Sequence, residues 1–313
     1  MPQYRSRLPQ TSGDIFITDG GLETTLIFQS GIVLPEFAAF VLLQDEAGRQ
    51  TLRRYFHDFG RLAQRYRVGL ILDSPTWRAN RDWGARLGFS TQALADINRR
   101  AIDLLVELRE SLQTPVTRCV INGVIGPRAD GYVPAALMTA SEAADYHGAQ
   151  IDTFAGTEAD MVTAVTMNYG DEAIGVALAA RSARMPVAIS FTVETDGRLP
   201  TGESLQQAIE GTDEASDGFP EYYMINCAHP LHFGPALAPA GAWLSRIRGV
   251  RANASQKSHA ELNEATELDD GDPQELGGQY RDLKGRLSQL TVLGGCCGTD
   301  QRHIDAICRL FLS

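Results

Sequence analysis

Short apolar runs alternate with longer amphipathic stretches along the whole chain. Ile15–Asp19 reads as a strand stopped by Gly20-Gly21. A helical stretch from Tyr55 to Arg67 then leads into a second strand at Val68–Asp73. Leu94 to Leu112 carries apolar residues at helical spacing, and a third strand follows at Val116–Val124. Met161–Met167, Val187–Val193, Tyr222–Asn226, Ile247–Arg251 and Leu290–Leu293 complete a set of eight, the sixth and seventh being short. The runs are continuously apolar and do not alternate, as expected of strands covered on both faces of a parallel sheet. Strand and helix alternating in this way predict a single α/β domain, residues 1–313, closed as a (β/α)8 barrel of the TIM type. An open doubly wound sheet is the competing arrangement. No GxGxxG follows the first strand, which counts against a dinucleotide-binding version of it.

One stretch breaks the rhythm. Around 255–279 the chain is polar and acidic, with Glu261, Glu264, Glu267, Asp269, Asp270 and Asp272. This predicts a solvated helix and loop outside the barrel.

Composition narrows the function classes. Apolar residues make up 43% of the chain and charged residues 21%, so it reads as globular. A net charge of −11 argues against nucleic acid as a partner, because such binding needs a clustered cationic surface. No apolar run approaches the roughly 20 residues that cross a bilayer, and residues 1–13 lack the apolar core of a signal peptide. A cytoplasmic protein acting on small molecules, with no membrane partner, is expected. The oligomeric state is not encoded in any pattern we can read.

Five cysteines, an odd number with two adjacent, do not form a disulfide framework. Cys296-Cys297 lies in Leu293-Gly294-Gly295-Cys296-Cys297-Gly298-Thr299, at the end of the last strand. Neighbouring side chains of a strand face opposite ways, so both thiols reach one ion only where the chain leaves strand geometry. The flanking glycines permit that. Cys227 also ends a strand, in Ile225-Asn226-Cys227. Active sites of such barrels gather at the C-terminal strand ends, which would put all three thiols on one rim.

Three cysteine ligands leave a tetrahedral Zn2+ with one open position, as in catalytic sites. The open position suits a substrate sulfur, which loses its proton on coordination. Excess thiolate charge around it would keep that sulfur nucleophilic toward an activated methyl group. Taken without this context, Cys296 and Cys297 could equally serve redox or packing roles. Cys119 and Cys308 read as small core residues. His229, His232 and His303 are rival ligands by type, with surface or capping roles as the plainer reading.

The chain resembles the zinc-dependent homocysteine S-methyltransferases, which include enzymes using S-methylmethionine or betaine as donor. The matching fragments are Thr18-Asp19-Gly20-Gly21 with Glu23, Asn122-Gly123-Val124-Ile125-Gly126-Pro127, Ile189-Ser190-Phe191-Thr192-Val193 and Gly202-Glu203-Ser204-Leu205. Ile225-Asn226-Cys227, the Gly294–Thr299 run and His303-Ile304 follow in the same order. The resemblance implies a (β/α)8 barrel, zinc on Cys227, Cys296 and Cys297, and homocysteine bound through its sulfur and converted to methionine. No catalytic group beyond the zinc-activated substrate thiol is expected.

Asp19 matches an aspartate that helps hold the amino acid. A carboxylate at a strand end, with Gly20 and Gly21 allowing close approach, suits an ammonium group, though an ordinary Asp-Gly turn would look the same. Asn226 and Asn253 resemble asparagines around strands six and seven, as pocket wall or as backbone ties. Thr192 and Glu194 are candidates for pocket lining.

Two departures bear on the substrate. A family glutamate after strand four, within Phe-Glu-Thr, is replaced here by Val165 in Thr163-Ala164-Val165-Thr166-Met167. The usual Pro-Asn-Ser-Gly of strand seven is replaced by Arg251-Ala252-Asn253-Ala254-Ser255. The same zinc barrel acting on a different thiol or donor is therefore the alternative. A non-catalytic barrel with structural zinc or redox cysteines is a third reading, and it would require a fourth protein ligand.

Overall fold

The computed structural model describes residues 1–135, 137–238 and 240–313. Eight strands, β1 (Phe16–Ile17), β2 (Gly69–Asp73), β3 (Cys119–Ile125), β4 (Met161–Met167), β5 (Val187–Phe191), β6 (Tyr222–Asn226), β7 (Ile247–Ala252) and β8 (Val292–Gly295), close into a barrel in sequence order. Every neighbouring pair is parallel, and β1 pairs with β8. Closure excludes the open doubly wound sheet. The continuous apolar runs follow from this arrangement, because one face of each strand packs inside the barrel and the other against helices.

The barrel interior holds Phe16, Ile71, Val120, Met161, Ala188, Tyr222, Met224 and Val292, with Leu8 of the N-terminal segment packed among them. That segment closes the bottom. Gln10 is fully buried and donates to the Tyr222 hydroxyl at 3.3 Å. The larger outer core lies between the strands and the helices, chiefly Glu46–Tyr66, Thr91–Leu112, Ala140–Ala155, Gly170–Ser182, Leu205–Ser216, Pro273–Leu283 and Gln301–Phe311. Cys119 and Cys308 are both buried there. Among the described residues, the β6–β7 crossover has only the short helix Pro230–Phe233 and the 3-10 turns Pro235–Leu237 and Ala242–Arg246.

The polar stretch around 255–279 divides in two. Its second part is the helix Pro273–Leu283, which is the barrel helix between β7 and β8 and buries Leu276, Tyr280 and Leu283. Its first part carries the short helix His259–Asn263 and folds across the C-terminal mouth. Leu262, Asn263, Ala265, Leu268 and Asp269 there form part of a cavity wall. Glu261 and Glu264 are exposed, while Glu267 lines the cavity beside the apolar residues.

Candidate metal centre and active site

β7 is the strand that brings the cysteines together. Beyond the end of β6 the Cys227 amide still donates to the Arg251 carbonyl, at 3.1 Å. On the other side, beyond β8, the Cys296 amide donates to the Ala252 carbonyl at 2.8 Å. The two flanking chains therefore converge over the end of β7, with Cα atoms 5.3 Å apart, and their sulfurs form a disulfide. Cys297 is a free thiol. Its sulfur completes a group in which all three Sγ atoms lie within 4.8 Å of one another. Among the described residues no further His, Cys, Asp or Glu belongs to that group.

The backbone at this point is held in an unusual shape. Cys227 has φ 52°, a left-handed conformation that β-carbon residues adopt only under constraint. Its carbonyl is the anchor, accepting from His259 Nε2 at 2.6 Å, Asn253 Nδ2 at 3.1 Å and Thr192 Oγ1 at 3.4 Å. Glu194 Oε1 lies 3.1 Å from His259 Nδ1 and orients the ring, which stacks on Tyr132 at 3.9 Å. The Tyr132 hydroxyl in turn lies 3.6 Å from the Cys297 sulfur.

Asn226 ties the neighbouring strands. Its Oδ1 accepts from the Ser190 hydroxyl at 2.6 Å and from the Thr166 amide at 2.9 Å, and its Nδ2 donates to Thr166 Oγ1 at 2.9 Å. Thr166 is itself left-handed, φ 67°, at a register shift in β4. Thr192 and Glu194, candidates for pocket lining, and Asn226 and Asn253, read as pocket wall or as backbone ties, thus stand behind Cys227 and shape its turn.

The Asp19-Gly20-Gly21 turn packs on the cysteine turn. The Gly21 amide donates to the Thr299 carbonyl at 2.9 Å, and the Gly295 amide to the Asp19 carbonyl at 3.0 Å. A Cβ on Gly21 would lie 2.6 Å from the Cys296 carbonyl oxygen, so only glycine fits this approach.

A cavity of about 410 Å³ opens over these turns, within the usual range for small-ligand sites. Its wall includes Asp19, Gly20, Gly21, Cys227, Cys296 and Cys297, together with Val165 and Arg251. Its floor is a charged layer that sequence reasoning missed. Arg251 Nη2 donates to Asp19 Oδ1 at 2.6 Å, Nη1 pairs with Asp73, and Nε donates to the Gly295 carbonyl at 3.1 Å. Tyr55 donates its hydroxyl to Asp19 Oδ2 at 3.1 Å, and Asn122 Nδ2 donates to Asp73 Oδ1 at 2.6 Å. Burial pushes the carboxyls of Asp19 and Asp73 upward, and the shared guanidinium of Arg251 pulls both back. Asp19 thus reaches the cavity with both carboxylate oxygens already engaged.

The donor set fits a zinc ion. Tetrahedral ligands at about 2.3 Å from zinc stand about 3.8 Å apart, and the three Sγ atoms lie within 4.8 Å of one another. Burial pushes the Cys297 thiol up, so the cluster favours thiolates only with a cation beside it. The histidines do not compete. His229 caps the Pro230–Phe233 helix and burial lowers it to about 4, His303 caps the last helix, and His232 bonds to the Gln256 carbonyl.

The site is a cysteine triad at the C-terminal mouth of a parallel eight-stranded barrel. The family profile of homocysteine S-methyltransferases matches residues 16–311, and the chain belongs to that family of methyltransferases. The barrel is similar to that of the homocysteine methyltransferase MmuM from Escherichia coli. The metallated form is 17% identical with a TM-score of 0.72, covering 95% of this chain and 96% of that one. The oxidized form, also 17% identical, has a TM-score of 0.76 over 97% and 99%. No curated protein sequence matches the chain significantly.

Proposed function

We propose that this protein transfers a methyl group from a sulfonium or related activated donor to the thiol of homocysteine, giving methionine, with Zn2+ held by Cys227, Cys296 and Cys297. The observation that carries this is the convergence of three sulfurs, distant in sequence, on one cavity with no fourth ligand beside them among the described residues. A structural zinc would need that fourth protein ligand. The ion's contribution would be to take the proton off the acceptor thiol at neutral pH.

The chain's own residues do the rest. His259, Asn253 and Thr192 hold the Cys227 turn, and the Asp19–Gly21 turn sets the position of Cys296. The Leu262–Asp269 segment covers the mouth and keeps water from the methyl donor. Three thiolate ligands fit a reducing compartment such as the cytoplasm.

Asp19 is occupied by Arg251, and Val165 offers no charge. These facts favour one second reading, an acceptor thiol without an amino group. A single screen addresses both. Reduced, zinc-loaded protein is incubated with homocysteine or 4-mercaptobutanoate, its analogue lacking the amine, and with S-methylmethionine, S-adenosylmethionine or betaine. Methionine formation with one donor, lost in Cys297→Ala, is expected. No methionine with any donor would overturn the homocysteine reading.

A further inference from the structure

The family reading calls for negative charge near the acceptor's ammonium, yet the two positions expected to supply it do not. Val165 is apolar, and Asp19 is bound by Arg251 and Tyr55. The cavity holds another carboxylate, four residues further along the chain. Glu23 lines the same wall as the three cysteines, and among the described residues its only hydrogen bond comes from its own main-chain amide. Burial, reinforced by the nearby Asp19, pushes its carboxyl up to about 7, against the pull of its own main-chain amide and of Arg251 and Arg78.

A cation stands in the same cavity. Arg78 is 12% exposed at its side chain and is clamped over the Trp83 ring at 3.8 Å. Nη1 donates to the Glu36 carbonyl at 2.8 Å and Nη2 to Asp130 at 3.3 Å, while Nε is buried and has no partner among the described residues. Glu23 and Arg78 sense each other's charge without forming an ion pair. A carboxylate without an ion-pair partner and a guanidinium on the wall of one cavity are the two charges that the ends of an α-amino acid call for.

We propose that Glu23 holds the ammonium and Arg78 the carboxylate of the acceptor amino acid, so that acceptor recognition in this chain has moved from β1 and β4 to the segments after β1 and β2. This rests on the reading of the protein as a homocysteine S-methyltransferase and names the residues that would make the acceptor an amino acid. Asp19 then serves the floor of the site as a partner of Arg251 and does not touch the acceptor.

The test is equilibrium binding to the reduced, zinc-loaded protein by calorimetry, without any methyl donor. Three thiols are compared: homocysteine, 4-mercaptobutanoate without the amine, and 3-mercaptopropylamine without the carboxylate. Glu23→Gln is expected to weaken homocysteine by about ten-fold or more while 4-mercaptobutanoate stays within about two-fold. Arg78→Gln should weaken homocysteine similarly and spare 3-mercaptopropylamine. Should Arg78→Gln not fold, Arg78→Lys, which lacks the Nε donor, carries the same comparison.

Unchanged homocysteine affinity in Glu23→Gln, or an equal loss for all three thiols, would overturn the assignment while leaving the function standing. Wild-type protein that binds none of the thiols would overturn the function and this inference together.

Discussion

Burial inside the cavity raises Glu23 from its ordinary value near 4.5 to about 7, and that shift has a sign that can be measured. At pH below 4.5 the residue is protonated in folded and unfolded chains alike and costs nothing. Between 4.5 and 7 the unfolded chain ionises first, so folding stability falls as pH rises, and above 7 the full penalty is present. Glu23→Gln should therefore be more stable than the wild type by about 1–3 kcal/mol at pH 8 and by almost nothing at pH 4.5, read by urea unfolding. An equal difference at both pH values would contradict the burial argument. Natural proteins keep such unfavourable groups where a ligand needs them. Sequence reading placed Glu23 in a motif but gave it no role, since a glutamate in the first turn after Gly21 looks like ordinary helix-start chemistry. Only the occupied state of Asp19 makes it stand out.

At the scale of elements, two strands carry the site's distinctive chemistry. Beyond β6, the left-handed turn at Cys227 depends on donors from the segments after β5 and β7, and the shortest of these contacts comes from His259 at the start of the short helix after β7. His259→Ala should lower zinc affinity by about ten- to a hundred-fold, measured by chelator competition, with the barrel's circular dichroism unchanged. Unaltered affinity would show that the turn holds without it. β7 brings Arg251 into the barrel between two buried carboxylates. Arg251→Leu leaves both uncompensated and should destabilise the fold by about 3–5 kcal/mol in urea unfolding. A loss under about 1 kcal/mol would mean that the carboxylates find protons or water at little cost.

His259 and Tyr132 were not legible in the sequence because Tyr132 lies on a loop and His259 opens a helix of 5 residues, too short for a periodicity that reports what a side chain touches. Arg251 was legible as a departure from the family pattern, but its partners on β1 and β2 are far away in sequence. The strands were legible because burial on both faces leaves a continuous apolar run, as in Met161–Met167 and Tyr222–Asn226, whose observed limits coincide with the expected ones.

For the whole molecule, barrel closure turns positions distant in sequence into one rim. Cys227 and Cys296 are 69 residues apart and become neighbours because the strands that precede them flank the same strand, β7. Strand order and the rule that such sites sit at C-terminal strand ends made that convergence legible in advance. The cover over the mouth was not, because Leu262, Ala265 and Leu268 are isolated apolar residues in an acidic stretch and give no amphipathic period. Among the described residues no helix is long and apolar enough to cross a membrane.

The central claim is that the three cysteines hold one zinc ion and leave a single position for the acceptor's sulfur. Zinc-edge X-ray absorption of the reduced, zinc-loaded protein tests it most directly. The account predicts three sulfurs at about 2.3 Å and one lighter ligand, changing to four sulfurs when homocysteine is added. A sulfur count that homocysteine leaves unchanged would contradict it.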